Sequence, residues 1–596
     1  MCIRDRIAGL VAAAELATTN GDDDSAAVWL GVADEMQRSV KDWTVTTTGP
    51  LSTEPYFIRL SKTGDPNADV DYNVGNGGPT LDQRHVIDAG FLELVRLGEL
   101  PANDPDVLRT LPIVDDEIMA TTPSGPGWNR YNGDGYGDRD GDGRPWAPSG
   151  QGTGHLWPVL SAERAEHSLA SGDTAEATSL LLGMRAFASG VGLIPEQDWE
   201  LDAIAADPYG TDPTVASIGF QPGKAAGSAS PLTWSAASFV RLTADLAAKR
   251  NVVLPAATHD RYVAHTQGTT DLTVTAPDDN SAVTGSPVTV TGTTEAGNTV
   301  YVAAINTDAD SATTIASAVA APDGSFSIDV AVTGGTTVLN IVAVSPSGGT
   351  AQEQRTIVFD FVPGTLLLDV ADPDHDDNGP GNYAYPTSSN FHDGAFDIQH
   401  FQVFDADPDI IFRVQTRNLD ETFGSSLGAQ LVDVYVHVPG ASTTSTNAAN
   451  TSRNFQIRSA DAWSRLIQVQ GFGGRYEDAS DATLGSVTAS GNPISRFITF
   501  RVPKASLGQP VSGWSFTVVL TGQDGFSDDK ARGFQATPQE FQFGVCETAS
   551  GDPHCTANPG TVPKLMDVIT PTGVDQSDEV DYTIHTPVVL SGVAIP

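Results

Sequence analysis

His155-Leu156-Trp157-Pro158-Val159-Leu160-Ser161-Ala162-Glu163-Arg164 is followed, after a helix pair, by Gly192-Leu193-Ile194-Pro195-Glu196-Gln197-Asp198-Trp199. Apolar residues recur at helical spacing over Leu156–Ala170 and again over Thr174–Ala188. Pro195 then breaks the helix that ends near Ala188 and presents Glu196 on a loop beside Trp199. A carboxylate beside an indole is partly desolvated, which is the setting a general base needs. A glutamate that simply follows a helix end gives the same local pattern.

Outward from this centre the same grammar continues. Helical periodicity covers Ile7–Ala17, Ser25–Trp43, Asp82–Leu97 and Pro231–Ala248. Long Gly/Pro/Asp-rich loops, Thr121–Gly154 and Asp198–Ser228, separate the helices, and loops of that length in a compact domain are usually functional. Helices with long loops on one side predict an α/α barrel whose loops line a pocket. Near Pro255–Thr269 the grammar changes to short β-rich runs, including Leu272–Ala276, Val288–Gly292, Thr299–Ala303, Phe326–Val332, Val338–Val344 and Thr356–Phe361. Turn signals such as Pro277-Asp278-Asp279-Asn280 divide them, as in an immunoglobulin-like sandwich. From Pro363 onward longer runs (Leu366–Val370, Phe396–Phe404, Ile410–Thr416, Leu431–Val438, Leu466–Gln470, Phe497–Val502, Trp514–Leu520) predict a second, larger β-sandwich. The expected order is therefore multidomain: an α/α part over 1–255, a linker over 256–269, and two all-β sandwich domains over 270–362 and 363–596.

The chain has 596 residues, with Lys+Arg 32 against Asp+Glu 75 and a net charge of −43. That excludes a nucleic-acid partner, which wants a basic footprint. No apolar run is long enough to span a membrane. The acidity points to a salt-rich environment, since salt screens self-repulsion, although an acidic secreted protein has the same composition. Cys546 and Cys555 flank a short Gly/Asp/Pro loop and suit a small disulfide in an exported protein. Cys2 lies in a leader, Met1–Arg6, that lacks the apolar region of a signal peptide and runs uncapped into a helix pattern. A truncated start is expected, so the missing export signal says nothing about location.

The two opening stretches resemble glycoside hydrolase family fifteen, the glucoamylases and glucodextranases. So do Leu81-Asp82-Gln83-Arg84-His85-Val86-Ile87-Asp88 through Glu93 and Arg96, Gly127-Trp128-Asn129-Arg130-Tyr131-Asn132-Gly133-Asp134-Gly135-Tyr136, and Gly227-Ser228 through Pro231-Leu232-Thr233-Trp234-Ser235. These segments stand in the family's order. The resemblance implies part of an (α/α)6 catalytic barrel with Glu196 as general base, taking a proton from the water that attacks the anomeric carbon. It implies that Arg130 grips the terminal glucose, that Trp128 and Trp157 form aromatic walls, and that Glu163 and Arg164 belong to the substrate site. The family's general acid sits in a Trp-Glu-Glu segment, and no such tripeptide occurs in this sequence. The expectation is a barrel fragment without its acid, hydrolysing glycosides poorly on its own. A half barrel would also leave an apolar inner face without partners, so residues 1–255 alone are expected to be poorly soluble or oligomeric.

Further on, Asp372–Phe396 with Tyr383, Tyr385 and Gly394-Ala395-Phe396-Asp397, then Gln430-Leu431-Val432-Asp433-Val434-Tyr435, resemble the C-terminal domain of glucodextranase. That order of modules implies exo-hydrolysis of α-1,6-linked dextran with release of β-D-glucose, at the cell surface or outside the cell. It also implies an α-glucan and a cell-wall polysaccharide as partners. Starch-type α-1,4 glucans and a non-catalytic glucan-binding surface protein are the alternatives. Tyr383, Tyr385, Trp463 and Trp514 are candidate sugar-stacking rings, with core packing as the other reading. No organic cofactor is expected. Two Asp-rich loops are candidate calcium sites: Asp138, Asp140 and Asp142, which open like a calcium loop but carry Ser149 at the twelfth position, and Asp372, Asp374 and Asp376. An ordinary Asp-Gly turn is the alternative for the first.

Overall fold

The computed structural model describes residues 3–143, 152–206, 219–308, 312–480 and 482–596. Cys2 and Ser149 lie outside the described residues, as do parts of the two long loops.

The first part is helical. Helices α1 (Ile3–Thr19) and α2 (Asp23–Thr44) pair through Ala14, Ala17 and Ala26. Asp22 caps α2 by accepting from the Ser25 N–H. The short helix α3 (Leu92–Arg96) is followed by α4 (Pro105–Ile118), α5 (Pro158–Ala170), α6 (Thr174–Phe187) and α7 (Thr233–Ala248). Helix α5 packs against α3, α6 and α7, and it is buried around most of its circumference. Its Ala162 and Ala165 join Val107, Leu111, Leu180, Met184 and Leu242 in one core.

Two helix expectations need correction. Asp82–Leu97 is not one helix: Asp82 ends a strand, Gln83–His85 form a single 3-10 turn, and only Leu92–Arg96 is α-helical. The Asp82 carboxylate accepts from the Arg84 N–H and guanidinium, and the Ile87 N–H is taken by the Asn132 side chain, so the backbone there is committed elsewhere. Conversely, α4 was not expected. It starts with Asp104 as cap and Pro105 in the first turn, and it tolerates Pro112 inside.

The segment 256–269 is no free linker. Ala256–His259 is a helical turn continued by Asp260–Ala264, and it docks on α2. The buried Asp34 of α2 accepts from Arg261 Nε (2.7 Å), Tyr262 OH (2.9 Å) and Thr350 Oγ1 (2.7 Å). One carboxylate thus ties the helices, the joining segment and the following β domain together.

That domain is a two-sheet sandwich. Leu272–Ala276, Val288–Thr294 and Ser325–Val330 form one sheet. Ser281–Val283, Thr350–Phe359, Gly335–Val344, Thr299–Asn306 and Thr314–Val319 form the other. Strict alternation of buried and exposed residues in Ser325–Val330 shows one face in the core and one in water. Gly335–Val344 is different, because α2 covers its outer face: Val342 and Ala303 meet Val28 there.

The last part is one long antiparallel sheet folded on itself. The first half of Thr483–Asn492 pairs with Gly473–Asp478 and the second half with Phe497–Pro503, so this strand turns the corner between two layers. Phe401 and Phe412 from one layer meet Phe516 from the other at 5.6 and 6.0 Å between ring centroids. Cys546 and Cys555 form the expected disulfide, with Cα atoms 5.5 Å apart.

Candidate functional site

The hairpin of Met119–Thr122 and Gly125–Trp128 follows α4 and carries Trp128 and Arg130 toward α5. The Trp157 N–H bonds to the Trp128 carbonyl at 2.8 Å, which joins the two motifs side by side. Arg130 Nε and Nη2 donate to Asp134 at 2.7 and 2.6 Å, and its guanidinium lies 4.9 Å from the Tyr136 ring and 5.0 Å from Trp157. The Asp134 pair fixes the fork and offsets its charge, leaving the Nη1 edge for a further acceptor.

Beside this fork opens a cavity of about 400 Å³ lined by Asp88, Glu93, Arg96, Glu163 and Trp234 among others. Its charged walls are balanced: Asp5, Asp88, Glu93 and Glu163 stand with Arg59, Arg96, Arg130 and Arg241. Arg96 pairs with Glu93, and Arg59 lies 3.8 Å from Asp88. In so acidic a chain, a charge-balanced cavity rich in donors and acceptors fits a neutral ligand covered in hydroxyls. Sequence reasoning missed Arg59 and Arg241, which stand outside every quoted motif.

The aromatic walls differ from expectation. Trp128 is 3% exposed and belongs to the helical core, its Nε1–H donating to Asp115 Oδ1 at 3.0 Å. Trp157 is also buried, between Tyr136 at 6.2 Å and Trp234 at 6.3 Å. The rings that present surface to solvent are Tyr136 (44% exposed) and Trp234 (52%). Glu163 reaches the cavity, but Arg164 does not line it. Successive helix residues diverge by about 100°, and Arg164 turns to Asp115 (2.9 Å) and the Trp128 ring.

Glu196 is half-buried on its loop. Its N–H donates to the Ala229 carbonyl at 2.8 Å, and its Oε2 accepts from the Ala229 N–H at 3.3 Å. The Trp199 indole is engaged elsewhere, stacked on Phe220 at 4.8 Å and against His155 at 4.6 Å. Gln197 anchors the loop, donating to the Tyr136 carbonyl and accepting from the His155 N–H, each at 3.0 Å. The base candidate is thus one residue from the tie to the ring beside Arg130, although Glu196 is not among the cavity walls.

Behind the loop lie two buried groups that sequence reasoning did not single out for chemistry. His155 is fully buried, with Nδ1 2.9 Å from Glu200 and Nε2 3.3 Å from Asp138, the latter an ion-pair contact rather than an aligned hydrogen bond. Burial opposes its charge, but the two carboxylates outweigh burial and push it up to about 9. Asp198 is fully buried, and burial raises its carboxyl well above the carboxylate range.

Asp138 and Asp140, in the first Asp-rich loop, have protein partners. Asp138 accepts from the Gly143 N–H and faces His155, and Arg139 lies on Asp140. Among the described residues, three carboxylates converge in one place, formed by Asp372, Asp376 and Asp567. Asp374 is outside that group, with its Oδ1 accepting from Gln399 at 2.6 Å. The four candidate stacking rings are core or half-buried: Tyr383, Trp463 and Trp514 are buried, and the Tyr385 hydroxyl is bonded to Asp377.

Comparison with known proteins agrees with two of these parts. Residues 5–244 match the model of glycosyl hydrolases family 15. Residues 367–587 match the C-terminal binding-module, SLH-like, of glucodextranase. A glucoamylase of Clostridium sp. (strain G0005) is 38% identical over 258 residues, which are 43% of this chain and 33% of the relative. The chain therefore spans about a third of the length of that curated relative. A crystal structure of bacterial glucoamylase complexed with acarbose is 38% identical, covering 44% of this chain and 35% of its own, with a TM-score of 0.39. A wild-type glycosidase structure is 19% identical over 42% of this chain and 52% of its own, with a TM-score of 0.26.

Proposed function

We propose that the family-15 segment of this chain carries the sugar-gripping wall and the base of an exo-acting, inverting α-glucan hydrolase. Its substrate is dextran, attacked at non-reducing ends with release of β-D-glucose. The observation that carries this reading is the Arg130 fork, held by Asp134, flanked by Tyr136 and Trp157, and set at a charge-balanced cavity of about 400 Å³. The free guanidinium edge bonds vicinal hydroxyls, while Tyr136 and Trp234 cover the apolar face of the ring. Glu196 takes the proton from the attacking water. Inversion requires its partner acid roughly 6.5–9.5 Å away, so that the water fits between. The sequence holds no Trp-Glu-Glu, so the acid is not assigned to a residue of this chain, and slow turnover by the chain alone is expected.

The SLH-like module of glucodextranase over 367–587 supports the α-1,6 preference and attachment to a cell-surface polysaccharide. The 38% identity to a glucoamylase favours α-1,4 glucans as the second reading.

Binding of isomaltotriose and maltotriose to the chain is measured by calorimetry, with Arg130→Ala as control. Glucose release from dextran and soluble starch is then followed side by side, on the chain and on the product of the complete reading frame. The proposal expects binding that Arg130→Ala weakens and dextran hydrolysis that Glu196→Gln abolishes while binding persists. Preference for starch moves the substrate to α-1,4 glucans. Binding without hydrolysis by the complete product supports a non-catalytic glucan-binding protein. Hydrolysis that survives Glu196→Gln overturns the assigned base.

A further inference from the structure

In the C-terminal sheet, the loop between Thr365–Ala371 and Ile398–Ala406 contributes Asp372 and Asp376, and the short edge strand Asp567–Val568 contributes Asp567. One oxygen of each lies within 4.8 Å of the others. Backbone donors hold the Asp567 carboxylate in place: Oδ2 accepts from the Ile398 N–H at 2.6 Å and Oδ1 from the Val568 N–H at 2.7 Å. Asp397, immediately before Ile398, is fully buried as well. Its Oδ2 accepts from the His375 N–H (2.9 Å) and Arg417 Nε (2.6 Å). Its Oδ1 is buried without a hydrogen-bond partner, as are Asp372 Oδ2 and Asp376 Oδ1.

Three converging carboxylates, with a buried fourth beside them and oxygens shut off from water and from any donor, cannot all remain charged without compensation. Asp397 stands beside this group through its neighbours: it accepts from the His375 N–H, next to Asp376, and it precedes Ile398, whose N–H Asp567 holds. The guanidinium nearby, Arg417, is occupied by Asp397 and Asp393. Either the carboxyls share protons or a cation sits among them.

We propose that Asp372, Asp376, Asp397 and Asp567 hold a divalent cation of the calcium class, which clamps the 372–397 loop to the edge of the sheet. The donor set is all oxygen and all carboxylate, which selects a hard cation over zinc or copper. Several converging carboxylates suit the higher coordination number of calcium. Magnesium keeps most of its waters and takes one or two carboxylates. Local spacing pointed to Asp374, but that side chain is bonded to Gln399, and the site is completed by residues far along the chain. The loop it fixes also carries Asn382, Tyr383 and Tyr385, which reach into the core of the SLH-like module. The ion therefore acts on the order of the whole module.

The test uses the full chain, stripped with chelator and then titrated with Ca²⁺ or Mg²⁺ while heat and thermal unfolding are followed. Calcium is expected to bind and raise Tm, the rise growing with the logarithm of its concentration above Kd, with a far smaller response to magnesium. Asp376→Asn is expected to remove the calcium response, and Asp374→Asn to retain it. Should Asp376→Asn fail to fold, displacement of Tb³⁺ luminescence by Ca²⁺ in Asp374→Asn against wild type keeps the test open, with equal displacement expected. No calcium heat and no Tm shift would overturn the site. An Asp376→Asn variant that responds to calcium like wild type would do the same. A stripped chain that is stabilised only by lowering the pH from 8 to 6 would show that shared protons, not an ion, resolve the charge.

Discussion

His155 and Asp198 sit behind the Glu196 loop with opposite electrostatic characters, and each makes a prediction about pH. His155 is held up at about 9 by Asp138 and Glu200 against the effect of burial, with its ring on Trp199. Its folded value exceeds the unfolded value of about 6.5. The stabilisation is therefore fully present below pH 6.5 and is lost as pH rises through about 9. His155→Gln is expected to lower Tm most near pH 6 and to flatten the decline between pH 6.5 and 9. An unchanged slope in thermal melts across that window would remove His155 as its cause. Asp198 is a carboxyl raised by burial, and neither oxygen has a hydrogen-bond partner. Its contribution is present below the unfolded carboxylate value and is lost as pH rises. Asp198→Asn should therefore cost nothing, or add stability, at pH 8, and the same melts check it. At this scale Arg130 stood out only through a resemblance, and its partner Asp134, four residues on, was not read from the sequence. Nor was the sequence legible where burial decides. Trp128 and Trp157 read alike as walls, but Trp128 packs in the helical core while Trp157 is buried beside Arg130, between the more exposed Tyr136 and Trp234. Asp567 and Asp397 could not be joined to Asp372 by spacing, because the sheet brings them together.

Elements were legible in proportion to their periodicity. Helices α2, α5, α6 and α7 stand close to where apolar spacing put them. Helix α4 was hidden by Pro112, and its start signal, Asp104 before Pro105, outweighs that proline. The strands Gly473–Asp478 and Thr483–Asn492 were also missed. Gly473–Asp478 is mostly glycine and charged residues, and Thr483–Asn492 is rich in Gly, Ser and Thr, so no hydrophobic alternation marks them. The contact between α2 and the first sandwich is of a third kind, since it depends on a residue with no side chain. A Cβ on Gly31 would stand 2.2 Å from Val342 Cγ1, on the outer face of Gly335–Val344. Gly31→Ala is expected to destabilise the chain by about 1–3 kcal/mol through overpacking, read from denaturant unfolding. Val342→Ala in the same chain should recover part of that loss. A Gly31→Ala chain as stable as wild type would mean that helix and sheet separate without cost. The buried Asp34 network beside it argues that they do not.

For the whole molecule the dominant quantity is charge: 75 acidic residues against 32 lysines and arginines. The ion pairs engage many of the cations locally, as in Arg417 with Asp393 and Asp397 or Lys504 with Asp405 and Asp407. The surplus is therefore all negative, and it acts over distances longer than any single pair. At about 0.01 M ionic strength the screening length is about 30 Å, and at about 1 M it is about 3 Å. Repulsion across each domain is thus strong at low salt and confined to near neighbours at high salt. Exposed pairs are weakened by the same screening, but each contributes about 0–1 kcal/mol, and the unpaired excess outweighs them. Tm in chelator, where no calcium obscures the effect, is expected to rise steadily from low salt to molar NaCl. Sucrose at matched osmolality should raise it less, because an excluded neutral solute favours compactness without screening charge. A Tm that falls with salt would show that the local pairs, not the net charge, govern the electrostatics of this chain. An equal rise in sucrose would assign the effect to exclusion. A rise specific to salt would make the acidity a property tuned to saline surroundings.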